Sequence, residues 1–266
     1  MHTRYLSLHR GIQLSVLLLG VGGCALYQPM LPATPLLRQQ GQAEAAISLN
    51  VPGVEAAAAY SPVKHIQVVV AGNAIWIGSQ KDITYNFTRS QQGEIGLGYY
   101  TNARQPNWHV SLLSGVGRGN GRVHGEQDFG PVVVSGFPTG GSGGRPAKPD
   151  RRGSYQKYFG QVGVAHVATG RHRQVQGVAL RATWMHFTTL TFNDQPVAPP
   201  TAFYLEPVWF WRFGSSWLQG KLTTGLSTPL KRISDAQKYL LPNGALLLGA
   251  GVVVVPSELH RHRRAE

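Results

Sequence analysis

The sequence predicts an all-β fold: an antiparallel up-and-down β-barrel of about ten strands that spans a membrane. Three observations support this prediction. Ten segments between residues 42 and 255 alternate apolar with polar or small residues, the pattern of strands with two different faces. Short and long connections between these segments alternate, as they do in membrane barrels. Charged residues make up 14% of the 266 residues, well below the roughly 25% of soluble domains.

The first 23 residues have the layout of a lipoprotein signal peptide. Two arginines precede an apolar stretch over residues 11–21. This stretch is too short for a membrane-spanning helix, which needs about 20 apolar residues. The stretch ends in the letters VGGC, where small residues precede the single cysteine of the chain. We therefore predict that Cys24 is acylated, for example with palmitate, and becomes the mature N-terminus. The alternative is an ordinary secretory signal with an incidental cysteine.

Residues 24–41 are predicted to form an extended tether, residues 42–255 the barrel, and residues 256–266 a basic tail. The tether contains three prolines and has little periodicity. With one cysteine, the chain is expected to contain neither a disulfide nor a thiol–metal scaffold. An even strand count puts both ends of the barrel on the side of the short turns, where a lipid on Cys24 would anchor it.

Each strand is predicted from its own alternation. In the first, Ile47 and Leu49 share one face while Glu44 and Ser48 share the other, and a Pro-Gly turn follows. The other nine show the same period of two. In chain order the segments are AEAAISLNV, VEAAAAY, HIQVVVAG, GEIGLGYY, NWHVSLLSG, FGQVGVAHV, QVQGVALRATWMHF, FYLEPVWFWRF, QGKLTTGL and ALLLGAGVVVV.

The connections between these segments indicate which side faces which compartment. Apart from the Pro-Gly turn, short connections (SPVK, NARQP, TGRHR, GSS) alternate with long ones (about 73–90, 119–154, 189–201 and 227–243). In outer-membrane barrels the turns are periplasmic and the long loops external. The sequence therefore predicts a lipid-anchored location in the outer membrane.

The composition of the two strand faces predicts which one meets lipid. The polar face is rich in Gly, Ala and Ser with isolated charges, which suits a narrow interior, whereas the other face carries aliphatic and aromatic residues. Because isolated buried charges cost several kcal/mol, we expect the charges to pair inside and occlude the lumen. The predicted lumen charges are Glu44, Glu55, Glu94, Arg181, Glu206, Arg212 and Lys221. A structural plug is favoured over a selectivity filter or ligand site.

The formal net charge of +13 predicts anionic partners. In an exported chain, membrane lipids and lipopolysaccharide phosphates are more suitable partners than nucleic acid. A basic cluster near the longest loop, 119–154, is a possible anion-binding site, with a solvated loop as the alternative. Its residues are Arg145, Lys148, Arg151, Arg152 and Lys157.

Signatures of catalysis or cofactor binding are weak. The letters GVGRGNG at 115–121 precede neither a helix nor a Gly-Lys-Ser/Thr motif, so they predict a strand end instead of a phosphate loop. His260 and His262 lie in the basic tail, and a lone pair of histidines does not make a metal site. His124, Asp128, Ser135 and Asp150 fall in the longest loop with no spacing typical of a catalytic triad. We expect no enzyme activity, cofactor or metal.

The chain resembles a family of small outer-membrane β-barrel lipoproteins of uncharacterised role. The resemblance lies in the lipobox followed by YQPMLPATPLLRQQGQAEAAISL, in VEAAAAYSPVKHIQVVV, and in FYLEPVWFWRFG late in the barrel. It implies an outer-membrane location and a barrel, and it brings no catalytic residues. The long basic loop, and a last strand without a terminal aromatic residue, depart from the family pattern.

Together these features predict a monomeric, lipid-anchored outer-membrane barrel with a structural or surface-binding role. The alternative is a soluble periplasmic barrel, tethered by its lipid, that holds an apolar ligand. In that case the Ile, Leu and Trp face would point inward. A loop-borne hydrolase or acyl-modifying barrel is the third hypothesis.

Overall fold

Antiparallel strands, each paired with its neighbours, close into a barrel. The structure is a computed structural model that describes residues 25–50, 53–78, 86–102, 107–125, 149–168, 173–231, 233, 240–242 and 244–258. Its strands are β1 (Ala43–Asn50), β2 (Gly53–Tyr60), β3 (Ile66–Ile77), β4 (Phe87–Asn102), β5 (Trp108–His124), β6 (Asp150–Ala168), β7 (Arg173–Phe192), β8 (Gln195–Pro196), β9 (Thr201–Gly214), β10 (Leu218–Pro229) and β11 (Ala245–Val254).

The strand order confirms the predicted fold. Sequence neighbours pair from β1 to β7, β9 pairs with β7 and β10, and β11 closes the ring by pairing with β1. Strand β8 has two residues and pairs only with the end of β7, as a small hairpin outside the ring. The barrel thus has ten strands, all antiparallel. Among the described residues, no helix has the length and apolarity to cross a membrane.

The two ends of the barrel differ. Strands β2–β3, β4–β5, β6–β7 and β9–β10 are joined at what we call the short-turn end. Strands β3–β4, β5–β6, β7–β9 and β10–β11 are joined at the opposite, long-loop end. Strands β4 to β7 have 16 to 20 residues, whereas β1 and β2 have eight each, so one side of the barrel wall extends further at the long-loop end.

The longest connection is shorter than predicted. The sequence analysis assigned residues 119–154 to a loop, but β5 continues to His124 and β6 already begins at Asp150. The two strands pair in register from Trp108 opposite His166 to His124 opposite Asp150. Glycine, asparagine and arginine obscured this extension, because they are weak strand formers in isolation. Here they are held by pairing on both sides.

The wall is apolar outside and polar inside. Leu97 on β4 and Leu112 on β5 point away from the lumen and are 60% and 61% exposed. Glu94 and Arg181 point into the lumen and are buried. The period of two thus separates the faces as the sequence predicts, and the molecule is the reverse of a soluble barrel with an apolar centre.

Candidate functional site: the filled lumen

The N-terminal segment of the described chain lies inside the barrel. We call residues 25–41 the lumen segment. Its apolar side chains Leu26 and Leu37 are completely buried. Leu26 packs beside Gly121 and Gly153, near the long-loop end of β5 and β6, and Gly41 donates its N–H to the Ser61 carbonyl at the short-turn end. The segment therefore crosses the whole lumen before it enters β1.

The sequence analysis predicted an extended tether for this segment and did not predict that it lies inside the barrel. The tether interpretation relied on prolines and on weak periodicity, and it left the apolar side chains of the segment without a place to be buried. These side chains are Leu26, Tyr27, Met30, Leu31, Leu36 and Leu37, all of them buried in the lumen. The segment also runs from the long-loop end to the short-turn end, so the chain enters the barrel at the end opposite to the one we expected. Cys24 itself lies outside the described residues.

Glycines in the wall make room for the segment. A Cβ atom at Gly121 would lie 2.6 Å from the Leu26 carbonyl oxygen, and one at Gly249 would overlap Leu31 Cδ1. Real Cβ contacts are not that close, so a side chain at Gly121 would displace the backbone of the segment and one at Gly249 would displace the Leu31 side chain. The small residues of the inward face thus fit a specific occupant, in addition to suiting a narrow interior.

Backbone donors of the lumen segment are satisfied by wall carboxylates. Three of its residues are prolines, at positions 29, 32 and 35, and lack an N–H that would need a partner in the lumen. Leu31 donates its N–H to Glu55 Oε1 over 2.9 Å, and Leu36 donates to Glu44 Oε2 over 3.2 Å. Two of the predicted lumen acids therefore bind backbone of the segment.

Backbone acceptors of the segment are satisfied in the same way. Inward amide and guanidinium groups of the wall donate to its carbonyls. These hydrogen bonds are Gln92 Nε2 to the Gln28 carbonyl at 2.6 Å, Gln161 Nε2 to the Ala33 carbonyl at 2.8 Å, and Arg212 Nη2 to the Thr34 carbonyl. Since the segment has no strand partner inside the lumen, wall side chains replace the sheet ladder.

A buried ion cluster lies beside the lumen segment, in the part of the lumen nearer the long-loop end. Arg181 donates to both Glu94 oxygens, over 3.0 and 2.5 Å, and Lys157 Nζ lies 2.8 Å from Glu94 Oε2. On its other side, Arg181 Nε lies 3.7 Å from Glu206 Oε2. The Arg181 guanidinium also lies over the Phe159 ring, 3.8 Å from its centroid. One arginine thus joins two acids from different strands.

Neutral side chains add hydrogen bonds to this cluster. Glu206 accepts from Thr183 Oγ1 over 2.8 Å and from Ser227 Oγ over 3.0 Å. Lys157 donates to Gln92 Oε1 over 2.8 Å. Such additional hydrogen bonds are what a buried ion pair needs to offset its desolvation.

A second ion pair lies nearer the short-turn end. Arg212 Nη2 is 2.9 Å from Glu44 Oε1, and Glu44 also binds the backbone of the lumen segment. Glu55, which accepts from Asn50 Nδ2 over 2.7 Å, and Lys221 are buried on the same inward face. All seven predicted lumen charges therefore lie inside the barrel, and five of them take part in ion pairs of 4.0 Å or less.

The predicted anion-binding cluster is not one surface. Arg145 and Lys148 lie outside the described residues. Arg151 and Lys157 are on the inward face of β6 and are buried, and only Arg152 points outward. The prediction is therefore wrong for Arg151 and Lys157, because β6 begins at Asp150 and its period of two places alternate residues on opposite faces.

Lys157 and Arg151 add two bases to the predicted lumen charges. With them, the described inward face buries four acids (Glu44, Glu55, Glu94, Glu206) and five bases (Arg151, Lys157, Arg181, Arg212, Lys221). The sequence analysis counted four acids against three bases. Lys157 lies against Glu94 in the ion cluster, whereas Arg151 lies at the start of β6, near the long-loop end.

The β10–β11 connection covers the long-loop end of the lumen. Ile233 and Leu241 pack on an apolar cluster that includes Tyr27 and Tyr204, and Tyr204 Oη donates to the Pro242 carbonyl over 3.2 Å. Tyr27 contacts the rings of both Tyr204 and Tyr155, with centroids 5.3 Å apart in each case. This layer packs directly on the lumen segment.

The candidate catalytic residues do not converge in the described part of the chain. His124 Nδ1 lies 3.9 Å from Asp150 Oδ1, on the outer side of the wall, whereas Asp128 and Ser135 lie outside the described residues. His260 and His262 also lie outside them. Among the residues that the structure does describe, no three His, Cys, Asp or Glu side chains come together as a metal site would require.

Comparisons with solved structures show a likeness of shape. No family model and no curated protein matches this chain. The chain is similar to the translocator domain of the autotransporter NalP from Neisseria meningitidis. The identity is 10%, the TM-score is 0.42, and the alignment covers 80% of this chain and 87% of that one. The resemblance to lipoprotein barrels remains a prediction.

Proposed function

We propose that this protein is a lipid-anchored outer-membrane β-barrel, closed by its own N-terminal segment, with a structural or surface-binding role. The observation that carries the proposal is the arrangement of its two faces. Apolar side chains point outward around the ring, and charged side chains point into a lumen that is already filled. A protein of this kind needs lipid around it and leaves no open path through its centre.

The outward belt has the height of a membrane. On β9, the outward side chains from Phe203 to Phe213 are apolar or aromatic. The length of this stretch matches that of a tilted membrane-spanning strand, which has about 9–11 residues. Comparable outward residues occur on the other nine strands of the ring, among them Ile47, Val70, Leu97, Leu112, Val162, Leu180, Leu222 and Val252. Exposed apolar surface of this extent is typical of a membrane interface.

The soluble alternative fits these faces poorly. A periplasmic barrel with an apolar ligand would need Leu97 and Leu112 inside and Glu94 outside, the opposite of the observed orientation. The lumen also holds the lumen segment in the place where such a ligand would bind. The membrane barrel is therefore the better-supported function.

The course of the lumen segment suggests where the lipid anchor lies. Ala25 is buried at the long-loop end, next to the position proposed for acylation. A lipid on Cys24 would then join the leaflet at the long-loop end, where the chain enters the barrel. Tether and plug would be one element, since the chain between the lipid and β1 fills the lumen.

The first experiment compares the wild type with Cys24→Ser after removal of peripheral proteins by alkaline carbonate. We expect both to stay in the membrane and to migrate faster on gels when unboiled, because the barrel holds itself in lipid. Labelled palmitate should enter the wild type and not the variant. Release of Cys24→Ser into the soluble fraction, without an unboiled shift, would contradict the integral barrel. Labelling of both proteins would contradict the anchor.

A further inference from the structure

Three arginines lie side by side on the outer wall near the long-loop end. Arg89 on β4 is directly opposite Arg122 on β5, and Arg122 is directly opposite Arg152 on β6. All three belong to outward-facing positions. We call them the arginine row. Like charges directly opposite one another destabilise a sheet, so this arrangement calls for a compensating anion.

The described chain supplies only part of that compensation. Asp150 accepts from Arg122 Nη2 over 2.9 Å and from Arg152 Nη2 over 2.8 Å. Partial desolvation raises the pKa of Asp150, but hydrogen bonds from both arginines outweigh it and keep the pKa below its usual range. The carboxylate is therefore ionised at neutral pH, so the three arginines and Asp150 together carry a net charge of +2, and Asp194 adds a weaker attraction to Arg152.

Two arginines of this wall have no carboxylate partner in the described part of the chain. Arg89 packs on the Phe87 ring, 5.8 Å from its centroid, and no described carboxylate oxygen lies within 4.0 Å of it. The same holds for Arg118, which is exposed on β5 between the arginine row and the apolar belt. These two guanidinium groups are free to bind an external anion.

The strand register sets the depth of these arginines. On the outer wall of β4 to β7, one row of apolar residues lies nearest the long-loop end. It consists of Ile95, Val116, Tyr158 and Trp184, which are aligned across the four strands. Arg118 lies two residues closer to the long-loop end than Val116, or about 7 Å along the strand. Arg89 lies six residues closer to that end than Ile95, or about 20 Å along a tilted strand. Arg118 therefore lies at the aromatic boundary, where lipid headgroups meet a barrel, and Arg89 lies further out from the membrane.

A groove begins at Arg118 and extends to Gln91 and Asn120, two residues short of the arginine row. It lies over Gly72 and Gly93, two outward positions without side chains, and has a volume of about 850 Å³. Its lining combines polar side chains with rings and small apolar residues, among them Gln91, Arg118, Asn120, Trp76, Tyr155, Val54 and Ala74. This mixed lining suits the part of a lipid where the headgroup meets the acyl chains.

We propose that Arg118 and the groove beside it bind the phosphate group of an anionic lipid in the leaflet at the long-loop end, and that the arginine row adds positive potential next to this site. The proposal rests on the proposed membrane location and names a partner within it. Guanidinium groups bind phosphate oxygens with paired, charge-assisted hydrogen bonds. At a membrane boundary these bonds are less screened than in free solution. The site differs from the basic loop predicted from sequence, since its arginines come from three different strands.

The test measures which lipid the purified full-length barrel retains. The protein in detergent receives an equimolar mixture of phosphatidic acid and phosphatidylcholine with the same acyl chains, and bound lipid is counted by native mass spectrometry. We expect the wild type to retain phosphatidic acid preferentially. Arg89→Gln/Arg118→Gln should reduce that preference about tenfold. Lys64→Gln/Lys231→Gln, which removes two exposed charges elsewhere, should keep it.

Each result decides the proposal. Equal retention of the two lipids by the wild type, or an undiminished preference in Arg89→Gln/Arg118→Gln, would overturn the lipid site. A retained unboiled gel shift in the same samples would leave the proposed barrel intact, and the groove would then suit a protein partner. Absence of that shift in the wild type would overturn both. If the double variant fails to fold, salt titration of the wild type decides: raising NaCl from about 0.1 to 1 M should abolish the preference.

Discussion

Charged side chains lie in two regions of this barrel, the lumen and the outer wall of β4 to β7. In the lumen, four acids and five bases are buried, and several of them also form hydrogen bonds to the wall and to the lumen segment. On the outer wall, Asp150 is shared by two arginines, and Arg89 and Arg118 have no carboxylate beside them among the described residues.

The difference shows what each region needs from its surroundings. A buried charge must find its partner within the fold, because an unpaired one costs several kcal/mol. An exposed guanidinium is solvated by water, so it needs no partner within the fold and can bind an external anion. Most lumen charges therefore have their partners within the fold, whereas the arginine row is open to a ligand. Replacing matched residues in the two regions separates these roles.

The largest effect is expected from Arg181→Met in the lumen. It would leave Glu94 with Lys157 alone and Glu206 without an arginine, so we expect a loss of about 3–5 kcal/mol in the free energy of unfolding. The measurement is urea unfolding of the refolded barrel, followed by its unboiled gel band. Arg118→Met on the outer wall is the control and should leave the midpoint unchanged. Similar midpoints for the two variants would mean that the lumen cluster is not structural.

An intermediate effect is expected from a charge placed in the apolar belt. Leu97→Arg puts a guanidinium at a lipid-facing position of β4, and we expect a cost of about 2–4 kcal/mol together with poor membrane assembly. Gln91→Arg is the matched control, since it lies on the same face of β4 within the polar rows. Insertion of both variants into vesicles would be compared. If both assemble equally well, Leu97 does not face lipid.

The smallest effect on stability is expected from Asp150→Asn. Its ion pairs lie at the surface, where such pairs contribute less than about 1 kcal/mol. The carboxylate, however, competes with a lipid phosphate for Arg122 and Arg152, so its removal should increase phosphatidic acid retention in the native mass spectrometry assay. A fall in retention would mean that Asp150 holds the two arginines in position for the lipid.

Alternation in the sequence is sufficient to predict the barrel and most of its interior. Glu94 and Arg181 alternate with apolar neighbours on their strands, and a lipid-facing belt forces such charges inward. Lys157 has the same signal, but only if β6 is known to begin before Tyr155. Glycine and arginine hide that start, because their strand preference is weak without partners. A charged residue near a strand end was therefore assigned to a loop.

The lumen segment left a signal that was visible but ambiguous. Prolines at every third position of residues 29–35 predict extended backbone, and the leucines between them predict burial. Nothing local says where an extended apolar segment is buried. That depends on the width of the lumen and on wall glycines such as Gly249, which are distant in sequence.

The sequence by itself determined the fold class, the lipid-facing side of each strand and seven charges of the lumen, because a period of two is a local property of the chain. Only the tertiary structure decided which charges meet, that residues 25–41 fill the lumen, and that Arg89, Arg122 and Arg152 form one row. These features depend on strand register and ring closure, which bring together residues from distant parts of the chain.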